Sequence, residues 1–311
     1  MKFLDCIDVN PKISLEKGKI VPFIEMGNVS TIYRNPVAVE RKPFDSGVKF
    51  QDGDTVVARI TPCLQNGKRF YCKNIGTGFG STEYLVFRPK NESIDNLYLY
   101  YFMKTEFIKQ SMINSMVGAT GRQRVNNDVF KSIEVNFPNK EKQREIGKIL
   151  SAYDDLIENN QKQIKLLEEA AQRLYKEWFV DLRFPGYETT PIIDGVPEGW
   201  VEKNLSDIPE VVMGQSPKSE FYNKNNEGLP FHQGVANFGE RFVLDDIYTT
   251  SFNRTAKENS ILFSVRAPVG RINITKNKIA IGRGLAAINH KGSYQSFLFY
   301  YCLGCLNCLN L

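Results

Sequence analysis

Residues 140–180 read KEKQREIGKILSAYDDLIENNQKQIKLLEEAAQRLYKEWFV, with Gly147 as the only glycine and no proline. Within it Ile146, Leu150, Tyr153, Ile157, Asn160, Ile164, Leu167, Ala171, Leu174 and Trp178 follow one another at alternating steps of four and three. Nine such steps in succession make a heptad seam, which keeps one face toward a partner helix along its whole length. The start is marked by Pro138-Asn139, a turn followed by a capping side chain, with Glu141 in the first turn where the helix dipole favours a negative charge. The end is marked by Phe184-Pro185-Gly186. A helix rises about 48 Å between Ile146 and Trp178. Such a stripe cannot be buried against itself, so a coiled-coil spacer helix over 140–180 is expected, with a partner helix beside it. Asn160 either fixes the register of that pair or faces solvent where the seam widens.

Outward from the helix, the two flanks resemble each other. Val21-Pro22-Phe23-Ile24 opens a strand-like run before it, and Leu229-Pro230-Phe231-His232 does so after it. The runs Gly53–Pro62 and Asn259–Pro268 follow, at Pro-to-Pro distances of 40 and 38 residues. Gly78-Phe79-Gly80 and Gly282-Arg283-Gly284 come next, then the aromatic runs Tyr98–Phe102 and Phe297–Tyr301. Landmarks in one order at nearly one spacing predict a single domain used twice. Each copy reads as short β-branched and aromatic strands broken by Gly, Pro and Asn turns, then an aromatic helix, which is an α+β domain. The first copy continues through Lys104–Pro138, whereas only Leu303–Leu311 follow the second, so the second domain is expected to be incomplete.

A chain of 311 residues with 42% hydrophobic and 24% charged residues fits two globular domains. It has no apolar run long enough to cross a membrane, and its first residues lack the pattern of a signal peptide, so a cytoplasmic protein without membrane contact is expected. The net charge of +5 is unevenly spread: residues 1–139 carry 19 basic and 14 acidic side chains, 140–180 carry 8 of each, 181–200 carry 1 and 4, and 201–311 carry 12 and 9. Two basic bodies around a non-basic connector suit a polyanionic ligand. Six reduced cysteines are expected, and the run Cys302, Cys305, Cys308 lacks a fourth ligand nearby, so no metal is assigned.

Residues patterned for enzymatic chemistry are almost absent from the sequence. His232 and His290 have no ligand-spaced partner. Gly76-Thr77-Gly78-Phe79-Gly80 lacks the Lys-Ser/Thr of a phosphate loop and reads as a turn. No catalytic residue is assigned. What remains is a set of basic and amide side chains on loops. Gly118-Ala119-Thr120-Gly121-Arg122-Gln123-Arg124-Val125-Asn126 offers Arg122, Gln123, Arg124 and Asn126 after two glycines, and Arg suits guanine as Gln and Asn suit adenine. Lys68, Arg69, Arg266, Arg271 and Arg283 are candidates for phosphate contacts, which orient a duplex without reading it.

The layout resembles the specificity subunit of type I restriction–modification systems. The resemblance spans the chain and is most specific at Pro138-Asn139-Lys140-Glu141-Lys142-Gln143-Arg144-Glu145-Ile146, which is similar to the family's Pro-x-x-x-Glu-Gln-x-x-Ile signature with Lys142 intervening. Leu150–Asn160, Leu174–Val180 and Val196-Pro197-Glu198-Gly199-Trp200 continue in the family's style. It implies a first target-recognition domain over 1–139, the spacer helix over 140–180, a linker over 181–200 and a truncated second target-recognition domain over 201–311. It further implies a non-catalytic subunit that binds a split site in double-stranded DNA and directs methylation and restriction subunits to it. S-adenosylmethionine, ATP and Mg would be bound by those partners, and the chain itself would carry no cofactor. A full-length member has a complete second domain and a second conserved helix. The departure implies either a truncated product or a chain completed by another polypeptide; the alternative reading is an inactive or half-specificity fragment that works only by dimerising, or by pairing with another specificity fragment, through the spacer helix. Two further readings are the recognition part of a fused restriction–methylation enzyme and a coiled-coil scaffold. The scaffold would predict unrelated, neutral flanks.

Overall fold

A computed structural model describes residues 1–201 and 203–308, with side chains through Cys305. The chain divides into two compact units, 1–166 and 167–311.

The first unit opens with α1 (Phe3–Cys6) and β1 (Ile7–Val9), followed by β2 (Ile20–Ile24), β3 (Glu40–Pro43), β4 (Val48–Phe50), β5 (Thr55–Ala58), β6 (Arg69–Tyr71), β7 (Gly78–Gly80) and β8 (Tyr84–Pro89). Helices α2 (Asn96–Phe102), α3 (Glu106–Asn114) and α4 (Val129–Ser132) follow. The strands form two four-stranded sheets, β1-β8-β5-β6 and β3-β2-β7-β4, the first antiparallel throughout and the second holding one parallel pair, β2 with β7. Strands β5 and β8 read TVVA and YLVF at their hearts, β-branched and aromatic residues that suit a pleated surface, and every one of these side chains is buried. Alternation along the strands sends Val57, Leu85 and Phe87 to one core and Val56, Tyr84 and Val86 to another. The first core is closed by the helices, with Phe3, Phe87 and Phe130 in mutual ring contact and Leu99, Ile108 and Met112 packed beside them.

The long helix begins as expected. Asn139 caps α5 (Lys140–Tyr175), its side-chain oxygen accepting from the Lys142 amide at 2.9 Å. The helix continues into a π turn over Lys176–Val180. Its buried residues, however, are Gln143, Gly147, Ser151 and Asp154. The face laid on the first unit is polar and small, and the apolar seam within that unit is turned to solvent: Leu150 is 38% exposed, Tyr153 65% and Ile164 52%. Asn160 is exposed among them.

The second unit contains a short hairpin, β9 (Ile192–Ile193) and β10 (Val196–Pro197), then β11 (Pro209–Met213), β12 (Tyr222–Asn223), β13 (Leu229–His232), β14 (Tyr248–Thr249), β15 (Thr255–Ala256), β16 (Ile261–Ser264), β17 (Ile272–Ile274), β18 (Ile279–Ile281), β19 (Leu285–His290) and α6 (Gln295–Cys308). Its sheets run β11-β19-β16-β17 and β12-β14-β13-β18-β15. Apart from the extra edge strand β12, strand order and direction repeat those of the first unit, including the one parallel pair, β13 with β18. The registers fix the equivalences. Ala58 opposes Tyr84 as Ser264 opposes Leu285, and Phe23 opposes Phe79 as Phe231 opposes Ala280. Gly53 (φ 89°) and Asn259 (φ 61°) hold the same left-handed turn before the central strand, where Asn is the common substitute for Gly.

Two sequence expectations are corrected here. Gly78-Phe79-Gly80 is the buried strand β7 rather than a turn, and the glycines are there because a Cβ on Gly78 would lie 2.5 Å from the Pro22 carbonyl. The second unit's equivalent of that strand is Ile279-Ala280-Ile281, so Gly282-Arg283-Gly284 matches Ser81-Thr82-Glu83 and not the glycine triplet.

Candidate nucleic-acid interface

In the first unit, residues 117–124 form a small ribbon. Val117 and Arg124 exchange backbone hydrogen bonds, and the turn is closed by the Arg122 amide donating to the Ala119 carbonyl. The ribbon is stitched to the loop after β5: the Thr61 amide donates to the Gln123 carbonyl, and the Gln123 amide donates to Thr61 Oγ1, both at 3.0 Å. A rigid scaffold therefore presents the ribbon's exposed tip. Arg122 is exposed there, and neither its guanidinium nor the Gln123 carboxamide bonds another described residue.

The other candidates of this unit are engaged inside it. Arg124 forms a forked pair with Glu83, at 2.7 and 2.9 Å, so its charge is matched within the fold. Lys68 Nζ donates to the Met26 carbonyl at 2.7 Å. Arg69 is largely buried and donates to the carbonyls of Gly67 and Met103; burial lowers its pKa from the ordinary arginine value. Asn126 accepts from the Asp128 amide in a local turn. Sequence spacing registers that these side chains are polar and near loops, but not that backbone carbonyls and a carboxylate lie within their reach.

In the second unit the corresponding loop after β16 carries Arg266 and Arg271, and the turn before β19 carries Arg283; all three are exposed, and none makes a side-chain bond among the described residues. Arg266 and Arg283 line one cleft of about 180 Å³ with Gln233, Gly234, Ser264 and Gly284. Register places Arg271 on Lys68, so both halves carry a basic side chain at one position of the duplicated fold. Among the described residues no group of His, Cys, Asp or Glu could hold a metal, and Cys308's side chain lies outside them. His232 is buried against Asp245 at 2.8 Å, a structural pairing.

A second site escaped sequence reading altogether. Arg34 is 1% exposed and donates to Ser151 Oγ (2.7 Å), Asp155 Oδ1 (2.6 Å) and Glu158 Oε1 (3.0 Å) on α5. Burial disfavours its charge, but the hydrogen bond to Asp155 and the fields of Glu158 and Asp155 outweigh that and hold it above its ordinary value. Tyr101 donates to Asp154 at 2.6 Å, and Gln143 accepts from the Asp95 amide while donating to the carbonyls of Ser93 and Pro138. A carboxamide, with an acceptor oxygen and two N–H donors on one side chain, makes all three bonds at one buried position, which gives the Gln of the junction motif a physical role. The counterpart of Arg34 in the second unit is Arg241: the Tyr71 and Ile274 amides, equivalent by register, donate to the Arg34 and Arg241 carbonyls. Arg241 pairs with Glu168 at 2.8 Å. The available signal was the repeat itself, since the two arginines follow the Pro-Phe landmarks by nearly equal distances.

Duplicated two-sheet units, each fastened by an equivalent arginine to part of one long helix, find their match in a known group. The profile of the type I restriction modification DNA specificity domain covers residues 9–169 and 197–310. The chain belongs to that family. It is 36% identical over 225 residues to a protein of Methanocaldococcus jannaschii assigned as the type I restriction enzyme MjaX specificity subunit, an alignment covering 70% of this chain and 52% of that one. It is 31% identical over 233 residues to the MjaIX specificity subunit of the same organism, covering 69% and 52%. The chain thus spans about half the length of these relatives. The S subunit of a type I restriction–modification system from M. genitalium shares the fold, with a TM-score of 0.53 at 17% identity over 97% of this chain and 75% of that one. Among the described residues no helix is long and apolar enough to cross a membrane.

Proposed function

We propose that this chain is a DNA-reading subunit of a type I restriction–modification complex and performs no reaction of its own. One observation carries the reading: a single fold is built twice, and each copy offers unpartnered arginine and amide side chains on loops braced by its sheets. Arg122 and Gln123 are the base-reading groups of the first unit. Arg266, Arg271 and Arg283 supply the basic face of the second. Phosphate neutralisation would provide most of the affinity and make it salt-dependent, while the bidentate groups would provide sequence choice. Methylation and restriction subunits would bring S-adenosylmethionine, ATP and Mg, and the place of work would be the cytoplasm, where the chromosome lies.

A second feature belongs to assembly. Along the seam Leu150, Tyr153, Ile157, Ile164, Leu167 and Leu174 are exposed while Ile146 and Trp178 at its ends are half-buried, and an apolar stripe of that length favours a second helix. A second copy of this chain or another specificity fragment would satisfy it, leaving the remaining helix surface to the methylation subunits.

The test is co-expression with the cognate methylation subunit and mapping of methylated adenines. A split asymmetric motif is the expected product of two working units. A palindrome of one repeated half-site would assign reading to a dimer of the first unit alone. Absence of methylation together with absence of salt-dependent duplex binding would remove DNA reading from this chain. In an active complex, Arg122→Ala and Gln123→Ala should relax one half-site only.

A further inference from the structure

We propose that the cleft between Arg266 and Arg283 in the second unit reads guanine on a base edge, and that only Arg271 beside it serves the phosphate backbone. The inference rests on the DNA-reading role and deepens it.

The cleft stands where the loop after β16 meets the turn between β18 and β19. Its walls are fixed by backbone bonds: the Val265 amide donates to the Gly284 carbonyl at 2.9 Å, and the Gly282 amide donates to the His232 carbonyl at 2.8 Å. Ser264 Oγ is held by the Pro268 carbonyl and the Arg271 amide, so it braces the loop instead of facing a ligand. The loops that carry the side chains therefore have little backbone freedom left to lose on binding.

Three exposed side chains remain free around the cleft: Arg266, Arg283 and Gln233. No acidic residue lines it. Phosphate oxygens would accept from arginine and glutamine as well, but such contacts carry no sequence information; base reading differs in that the planar fork, and not the charge alone, sets the preference for one base. Two planar guanidinium forks with one amide form the set that discriminates base edges, because arginine matches the two acceptors of guanine and glutamine the donor and acceptor of adenine.

The first unit shows what the alternative looks like. By register the same positions hold Glu25, Ile60, Thr82 and Glu83 in place of Gln233, Arg266, Arg283 and Gly284. A neighbouring arginine, Arg124, is neutralised there by Glu83. The first unit has given this cleft no free cation and offers its ribbon instead; the second has an open, positively charged one. The two copies therefore read through different parts of one fold.

The experiment is selection from a randomised duplex library by the full chain, alone and with its methylation subunit, for the unmodified protein and for Arg266→Lys, Arg283→Lys and Arg271→Ala. Lysine keeps the charge and loses the fork. Each lysine variant should lose at least about tenfold of the preference for a guanine at one position of one half-site, with the salt dependence of binding nearly unchanged. Arg271→Ala should weaken binding uniformly across sequences and lower the salt slope by about one. Lysine variants that keep their guanine preference, or lose affinity evenly over all sequences, overturn the inference while leaving DNA reading intact. An unmodified complex without salt-dependent duplex binding overturns both. Circular dichroism of the variants separates these outcomes from misfolding.

Discussion

Arg34 and Arg241 occupy one position of a duplicated fold, yet they hold α5 in different ways. Arg34 is withdrawn from water and shared among a hydroxyl and two carboxylates. Arg241 remains 32% exposed, with Glu168 as its ion-pair partner and the ring of Phe299 5.2 Å away. Around it the second unit relies on aromatic contacts, Tyr175 with Phe297 at 5.6 Å and Phe179 with Phe297 at 4.8 Å. The cores differ in the same sense. In the first unit the face of β8 carrying Leu85 and Phe87 is covered by α3, α4 and the segment between Val125 and Val135. On the equivalent face of the second unit, Val211 and Met213 are more than half exposed. Duplication has preserved strand order and the position of the arginine, while the strength of the fastening depends on how much chain covers each copy.

That contrast can be broken by removing each arginine. Arg34→Met strips a buried charge from two carboxylates and should destabilise the first unit by about 3 kcal/mol, the range for dismantling a buried ion pair. Arg241→Met removes a half-solvated pair and should cost less than about 1 kcal/mol. Hydrogen exchange read separately over 1–166 and 167–305 under mild denaturant is the measurement. Equal losses in the two units would show that burial of the guanidinium does not set the strength of the grip.

The seam's period, the cap and the repeat of the two flanks were legible in the sequence because each is a local pattern: a 3.5-residue period, an Asn three residues before an amide, paired Pro landmarks; the paired Gly triplets were not equivalent. The face that actually docks on the first unit was not legible. Gln143, Gly147, Ser151, Asp154 and Glu158 form no hydrophobic periodicity, and reading a helix by its apolar stripe assigns such residues to solvent. What buries them comes from elsewhere in the chain: Arg34 over Ser151 and Glu158, Tyr101 over Asp154, and the Ser93–Tyr98 segment over Gln143 and Gly147. The candidate interface was half legible for the same reason. Loop position and residue type picked out Arg122, Arg266, Arg271 and Arg283, which the fold leaves exposed, but whether Arg69 or Arg124 was free depended on Met103 and Glu83, partners that only the fold brings near.

Gly147 sharpens the comparison at a single atom. A Cβ built there would sit 3.3 Å from the Tyr98 amide nitrogen and 3.6 Å from Asp95 Oδ1, at the start of α2. Glycine in a helix interior costs about 1 kcal/mol against alanine, so its presence marks a backbone approach that needs the space. Gly147→Ala should be nearly neutral, the gain in helix propensity offsetting the tighter contact. Gly147→Val adds branches that cannot turn away and should cost the first unit about 2 kcal/mol. A valine variant as stable as the alanine one would mean that α2 yields easily and that the polar grip, not close approach, seats the helix.

The smallest expected effect concerns acid. The hydrogen bond from Arg34 lowers the pKa of Asp155 below its ordinary value, against a smaller opposing contribution from burial. A carboxylate depressed in the folded state adds stability that is fully present above its unfolded pKa, about 3.9, and lost as pH falls through the lower folded value. The fastening of the first unit should therefore be constant from neutral pH to about 5 and weaken only below about 4. Because Asp155 is 53% exposed, solvent screens the pair, and the share that titrates should stay under about 1 kcal/mol. Asp155→Asn keeps a hydrogen-bond acceptor and removes the proton site. The stability gap between it and the unmodified chain, followed by urea unfolding from pH 7 to pH 3, should hold steady and then close at the acid end. A gap that persists undiminished at pH 3 would show that it arises from the geometry of the side chain at 155 and not from its charge, and a gap already closed at pH 6 would trace it to a group with a higher pKa than this carboxylate.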